Sequence, residues 1–254
     1  MKKRLVLSLI LVTGCLSLSY SQYYSSGVNH ELGFTAGLVS FQSDYGERGH
    51  FKSTTGNTGF NAGLVYFMDF SYGRGKYFSE HFKIKGEFSY TKATFEHHGK
   101  YAEGTSLFSK QLKAMNGSTS IVNLGAELVW FPLDLVTFNY SPGTFAPYVS
   151  LGGQVNFYTP EVKSDLGPMG SPFTTPTKYM DAYSSDGGTT FSFVGALGTR
   201  YKLSKNADLL FELRGQHFFS DWVDGLKPDP NIYSENKSND FMMTFSVGYI
   251  FMLN

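Results

Sequence analysis

The chain has 254 residues, a formal net charge of zero and one cysteine, Cys15, which lies in its leader. The balanced charge gives no electrostatic footprint for nucleic acid, and the lone leader cysteine excludes disulfides and thiol chemistry from the remainder. Aromatic content is high, with 24 Phe and 17 Tyr beside 28 Gly, and no linker divides the chain, so it reads as one domain.

Residues 1–21 read as a cleaved signal peptide. Lys2, Lys3 and Arg4 form a basic n-region and Leu5 to Val12 an apolar h-region. Ser19-Tyr20-Ser21 supplies a small-x-small cleavage site before Gln22, leaving 22–254 as the mature domain. A competing reading takes Val12-Thr13-Gly14-Cys15 as a lipobox that would place a lipid on Cys15; against it, Leu16 and Leu18 carry the apolar character past the cysteine. No other run reaches the ~20 apolar residues of a transmembrane helix, but a membrane β-strand needs only about ten with one apolar face.

Period-two alternation recurs through the rest of the chain and predicts strands at 30–42, 59–70, 81–93, 119–131, 146–158, 190–203, 208–219 and 241–253. In the third, Phe82, Ile84, Phe88 and Tyr90 share one face, and Lys83, Lys85, Glu87 and Ser89 share the other. A helix of period 3.6 would mix these sets. In the seventh, Leu209, Phe211 and Leu213 oppose Glu212, Arg214 and Gln216; in the eighth, Phe241 to Leu253 in steps of two oppose Thr244, Ser246 and Gly248. The connections run to about 16, 10, 25, 14, 31, 4 and 21 residues, long and short in turn. That rhythm suits an all-β, eight-stranded antiparallel up-and-down transmembrane β-barrel. Loops 43–58, 94–118, 159–189 and 220–240 then face outward, and the tight turn Ser204-Lys205-Asn206-Ala207 lies on the periplasmic side.

A soluble sandwich or lipocalin-like barrel would alternate too. Three features favour an apolar face turned to lipid. Small residues such as Gly33, Thr35, Gly37, Ser150, Gly152 and Gly198 oppose the aromatic faces, as a narrow lumen requires. Aromatic pairs near strand ends (Phe67 and Phe70, Trp130 and Phe131, Phe218 and Phe219, Tyr249 and Phe251) suit interfacial girdles. The chain also ends with a strand.

That last segment, Ser246 to Leu253, looks like the C-terminal insertion signal of outer-membrane barrels, with Gly248, Phe251 and Leu253 at its key positions and Asn254 as an extra residue beyond. The chain resembles a Bacteroidota outer-membrane β-barrel family of unassigned function. The resemblance rests on Ser43-Asp44-Tyr45-Gly46, His81-Phe82-Lys83-Ile84-Lys85, Phe145-Ala146-Pro147-Tyr148, Ser164-Asp165-Leu166-Gly167 and Asp221-Trp222-Val223-Asp224-Gly225-Leu226, and covers nearly all of the mature chain. It implies a barrel in the outer membrane and supplies no substrate.

The polar faces carry Asp69, Lys83, Lys85, Glu87, Glu127, Arg200, Lys202, Glu212 and Arg214. Mixed charges in a narrow lumen should pair, because an unpaired buried charge is costly. The structural reading is a salt-bridge core that plugs the barrel; the functional one is a gated polar path for a small solute. His97-His98 beside Glu96 could serve metal binding or acid–base work, but adjacent strand residues face opposite ways and the pair reads as a solvated loop. No Gly-x-Ser-x-Gly elbow or His-x-Ser arrangement exists, and His217 and Ser220 fall on opposite faces.

The fourth loop gathers Asp221, Asp224, Asp229, Glu235 and Asp240 without the spacing of an EF-hand, and Trp222 is expected to anchor the loop base at the interface. The Pro- and Gly-rich third loop is long enough to fold over the barrel mouth, and Ser106–Asn116 is expected to form a short amphipathic helix. The expectation is therefore a non-catalytic envelope protein with a structural or interaction role, in contact with outer-membrane lipid and the barrel-assembly machinery. A protein partner would meet loops 94–118 and 159–189, helped by Asp221, Trp222 and Asp224. No nucleic acid, metal or cofactor is expected. A narrow transporter and a barrel hydrolase are the rival classes.

Overall fold

The computed structural model describes residues 28–46, 51–71, 75–233 and 238–253. Residues 1–27, Cys15 and Gln22 among them, together with Glu235 and Asn254, lie outside the described residues. Eight antiparallel strands close into a barrel in sequence order. They are β1 (Asn29–Gln42), β2 (Thr58–Asp69), β3 (Phe82–Glu96), β4 (Met115–Trp130), β5 (Phe145–Ser164), β6 (Gly188–Ser204), β7 (Ala207–Phe218) and β8 (Phe241–Leu253). The seam pairs β8 with β1, from His30 opposite Leu253 to Gln42 opposite Phe241. Packing there is close: a Cβ on Gly248 would lie 3.0 Å from the Phe34 carbonyl oxygen, so the glycine lets the two strands meet.

Alternation decides which residues enter the lumen. On β3 every odd-numbered residue from Lys83 to Phe95 is buried, while Ile84, Phe88 and Tyr90 are exposed. The exterior is apolar on all eight strands: Leu38 is 72% exposed and Phe191 62%. Such a band would be unstable in water and is the surface a bilayer requires. Beside the turns, α2 (Tyr77–His81) lays aromatic rings against the band, where Phe78 stacks on Phe82 at 4.9 Å and Trp130 Nε1 donates to the Tyr77 hydroxyl at 3.2 Å.

The aromatic girdle pairs divide between the two sides. Phe67, Phe131 and Phe218 point into the barrel and are fully buried; their neighbours Phe70, Trp130 and Phe219 lie outside. Residues an odd number of positions apart on an extended strand point to opposite faces, so of these four pairs only Tyr249 and Phe251, two apart, form an outward pair, with rings 6.0 Å apart. Strands β3, β4 and β5 also reach farther toward the long loops than their alternation indicates. Their outward residues there are polar (Glu96, Ser118, Glu161), so the apolar signal stops while the ladder continues. Residues 94–96, 115–118 and 159–164 thus belong to strands rather than loops.

Candidate functional site

The lumen is filled in layers. Nearest the turns, α4 (Leu135–Asn139) caps the barrel, its Asp134 cap accepting from the Val136 and Thr137 N–H groups at 2.8 and 3.2 Å. It sends Leu135 and Phe138 inward against Phe67, Val129 and Phe131. Over these rings lie cations: Arg200 at 5.1 Å from the Phe67 centroid, Lys202 at 5.3 Å from Phe138 and Lys83 at 5.8 Å from Phe131. Lys83 pairs with Glu31 at 2.7 Å and Asp69 at 3.0 Å. Arg200 pairs with Glu31 at 2.6 Å and Asp208 at 2.7 Å, and Lys202 reaches Asp208 at 3.0 Å.

The next layer crosses the lumen. Strands β3 and β7 stand on opposite walls, four apart in a ring of eight. Lys85 Nζ on β3 reaches Glu212 on β7 at 2.9 Å and Glu127 on β4 at 2.9 Å. Arg214 on β7 returns a bidentate pair to Glu87 on β3 and touches Glu212 at 2.8 Å. Tyr148 donates to Glu212 at 2.7 Å, and Ser150 to Glu127 at 2.6 Å. All nine charged residues assigned to the polar faces from sequence (Asp69, Lys83, Lys85, Glu87, Glu127, Arg200, Lys202, Glu212 and Arg214) thus sit in this core. Glu31 and Asp208 complete it. Their parity with Gly33 on β1 and Glu212 on β7 was the available signal. Farther toward the long loops, amides and hydroxyls take over, with Asn156 donating to Asn123 at 2.8 Å and Gln216 to Ser192 at 2.9 Å. Above them Phe41, Phe95 and Phe218 close the barrel.

Over this aromatic lid the long loops fold into a vault. The first carries α1 (Phe51–Gly56), and the second carries α3 (Leu107–Ala114), whose Ser106 cap accepts from Ser109 N–H at 3.1 Å and which ends two residues before the expected Asn116 because Met115 already opens β4. Gln111 on α3 donates to the Pro172 carbonyl in the third loop at 2.8 Å. Tyr179 in that loop donates to the Asp44 carbonyl at 3.0 Å, and Ser184 N–H to the Gly225 carbonyl at 2.9 Å. Gly225, with φ of +87°, turns the fourth loop where a Cβ would lie 2.7 Å from Val162 and 2.8 Å from the Ser184 oxygen.

Carboxylates organise the vault. Asp224 accepts from Asp44 N–H at 2.6 Å and Leu226 N–H at 2.7 Å; Asp240 accepts from the N–H groups of Val223 and Asp224. Burial, then neighbouring carboxylates, pushes the Asp224 and Asp240 carboxyls well above the usual range. Asp221 and Asp224 are buried, so their side chains shape the loop base rather than its outer surface. Trp222 packs against the buried cluster around Val223 and Leu226, with Lys227 5.7 Å from its ring, instead of anchoring at the lipid boundary.

His97 is likewise buried, and not a solvated loop residue. Its Nδ1 accepts from Gly46 N–H at 3.1 Å, and its ring lies 4.9 Å from Tyr45 and 5.5 Å from Tyr179. Burial, aided by the nearby charge of Lys178, pushes its imidazole down to about 3. A neutral, enclosed ring with an amide donor on one nitrogen is a packing element; nothing in this geometry offers it a substrate. Among the described residues, no group of three or more His, Cys, Asp or Glu side chains is placed to hold a metal ion. Of the insertion-signal positions, Gly248 faces inward at the seam, Phe251 lies 6.0 Å from Phe34 outside, and Leu253 is exposed.

No family model matches the chain, and no characterised protein matches it in sequence. Among solved structures it is similar to Neisserial surface protein A, with 13% identity over 89% of this chain and 97% of that one, at a TM-score of 0.46. It is also similar to a major outer membrane protein of Thermus thermophilus, with 12% identity, 88% and 99% coverage and a TM-score of 0.47. A third is Ail, the attachment invasion locus protein of Yersinia pestis, with 15% identity, 88% and 99% coverage and a TM-score of 0.41. Similarity at this level leaves activity open, so the functional reading rests on the site itself.

Proposed function

We propose that this protein is a non-catalytic outer-membrane β-barrel that serves the cell envelope as a scaffold, presenting its loop vault to a protein partner. One observation carries the reading. Ion pairs between opposite walls, Lys85 with Glu212 and Arg214 with Glu87, occupy the lumen with charges that already satisfy one another. A transported solute would have to break pairs whose separation costs about 3–5 kcal/mol. The loops then remain as the elaborated surface, and their side chains Phe51, Tyr101, Leu107 and Phe173 are exposed. The motif resemblance to Bacteroidota barrels and the apolar exterior support an outer-membrane setting with the vault at the cell surface.

The test has two arms. Purified full-length protein in a planar bilayer should give no steady conductance; a stable ion-conducting pore would replace this reading with the transporter. In native outer membrane solubilised in mild detergent, a partner should co-purify and be lost when loop residues 169–175 are replaced by a Gly-Ser segment. A protein that purifies alone in both forms would remove the partner from the proposal.

A further inference from the structure

The outward face of β3, β4 and β5 changes character within one rung. Phe88, Leu124 and Val155 stand in register, as do Tyr90, Val122 and Phe157 on the next rung toward the loops. The rung beyond reads Lys92, Ser120 and Thr159. One step of two residues, about 7 Å along a strand, thus carries the surface from rings to an ammonium flanked by hydroxyls.

That ammonium is held in place. Lys92 Nζ donates to Ser118 Oγ at 3.1 Å and Ser120 Oγ at 3.2 Å, and the Tyr90 hydroxyl donates to Ser120 Oγ at 3.2 Å. Lys92 has no carboxylate within ion-pair distance among the described residues. Glu161 on β5 is within its electrostatic reach but is engaged by Lys163 at 2.5 Å. An oriented cation with no ion-paired carboxylate among the described residues, at the edge of an apolar belt, lies at the height of lipid headgroups.

We infer that Lys92, with Ser118, Ser120 and Tyr90, forms a binding site for the phosphate of a phosphorylated lipid in the loop-side leaflet. The acyl chains of that lipid lie along Phe88, Leu124 and Phe157 directly beneath. The serines fix the ammonium at the surface, and its remaining proton is available to a phosphate oxygen. This site depends only on the barrel spanning a bilayer, and not on the partner-docking role of the vault.

Native mass spectrometry of the full-length protein in detergent tests it, with phosphatidic acid as the probe and a diacylglycerol of the same chains as the control. The wild type should retain phosphatidic acid in preference to diacylglycerol. Lys92→Gln should bind it about fivefold more weakly, the effect expected of one basic side chain at an anionic surface. Lys92→Arg should restore binding, and Lys227→Gln, on an exposed loop, should leave it unchanged. Heat-modifiable gel migration reports that each variant is folded. The double variant Ser118→Ala, Ser120→Ala keeps the charge, frees the ammonium and should give a smaller loss. Equal binding of phosphatidic acid by Lys92→Gln and wild type, or equal retention of diacylglycerol and phosphatidic acid, would overturn the site. Displacement of the lipid by equimolar inorganic phosphate would overturn the lipid assignment.

Discussion

The turn-side lumen and the loop-side vault are both buried and polar, yet different forces hold them. In the lumen, side-chain charges from opposite walls satisfy one another, and every partner is fixed by strand register. In the vault, carboxyl groups and an imidazole accept from backbone N–H groups, some in their own loop and some in another, so the bonds shape the backbone itself. The first arrangement should give a rigid plug that fails as a unit. The second should give a surface whose parts loosen separately without unfolding the barrel.

Arg214→Leu should break the comparison most severely. It removes the bidentate partner of Glu87, leaving that carboxylate only Lys85 at 3.7 Å, while Glu212 keeps Lys85 and Tyr148. A buried charge so uncovered should cost about 3–5 kcal/mol, seen as a lower transition temperature in heat-modifiable gel migration. A variant that melts with the wild type would show the cross-lumen pairs to be idle.

The pH dependence of the vault comes next. His97 titrates at about 3 in the folded chain and near 6.5 when unfolded, so the unfolded chain binds the extra proton between these values. The stability contributed by neutral His97 is complete above pH ~6.5 and falls with acidification, by about 2 kcal/mol at pH 5. Asp224 and Asp240 act in the opposite sense. Their carboxyls stay protonated in the fold above the pH at which they ionise in the unfolded chain, so their contribution is lost as pH rises. The measurement is therefore a difference. Hydrogen exchange of residues 43–46 and 221–226 should accelerate more on acidification in the wild type than in His97→Asn, whose Oδ1 can still accept from Gly46. Parallel profiles would remove His97 from the account.

Smaller effects sharpen the boundary between the regions. Tyr179→Phe removes the bond to the Asp44 carbonyl and should cost about 1 kcal/mol, raising loop exchange while leaving barrel melting unchanged. Asp134→Ala removes the α4 cap at a cost of about 1 kcal/mol and should do the reverse, lowering barrel melting and sparing the loops. Phe211→Leu exchanges one lipid contact for another and should shift melting by less than about 0.5 kcal/mol.

The two regions also differed in what could be read from the sequence. Strand parity is local, so Lys85, Glu87, Glu212 and Arg214 could be assigned to the lumen from their neighbours alone. The choice of partners was not local: Lys85 and Glu212 meet because a ring of eight places β3 opposite β7. Aromatic residues gave no sign of their side, since Phe67 and Phe218 suit an apolar lumen layer as well as a girdle. The vault was least legible. Its bonds join Asp44 to Asp224 and Tyr179 to Asp44 across long stretches of chain, and no periodicity marks a loop that folds onto another. His97 follows a strand of clear alternation, yet its burial depends on Tyr179, far away in sequence.

The bonds between β3 and β7 have a consequence for how the molecule is made. An open sheet keeps Lys85 and Glu212 on separate arms, where water hydrates both. Only when β8 meets β1 along the seam do the two arms curve far enough for those charges to touch. Closure therefore releases bound water and forms the ionic latch in one event, so a barrel caught half-assembled would gain little and reopen, whereas a closed one would be locked from within.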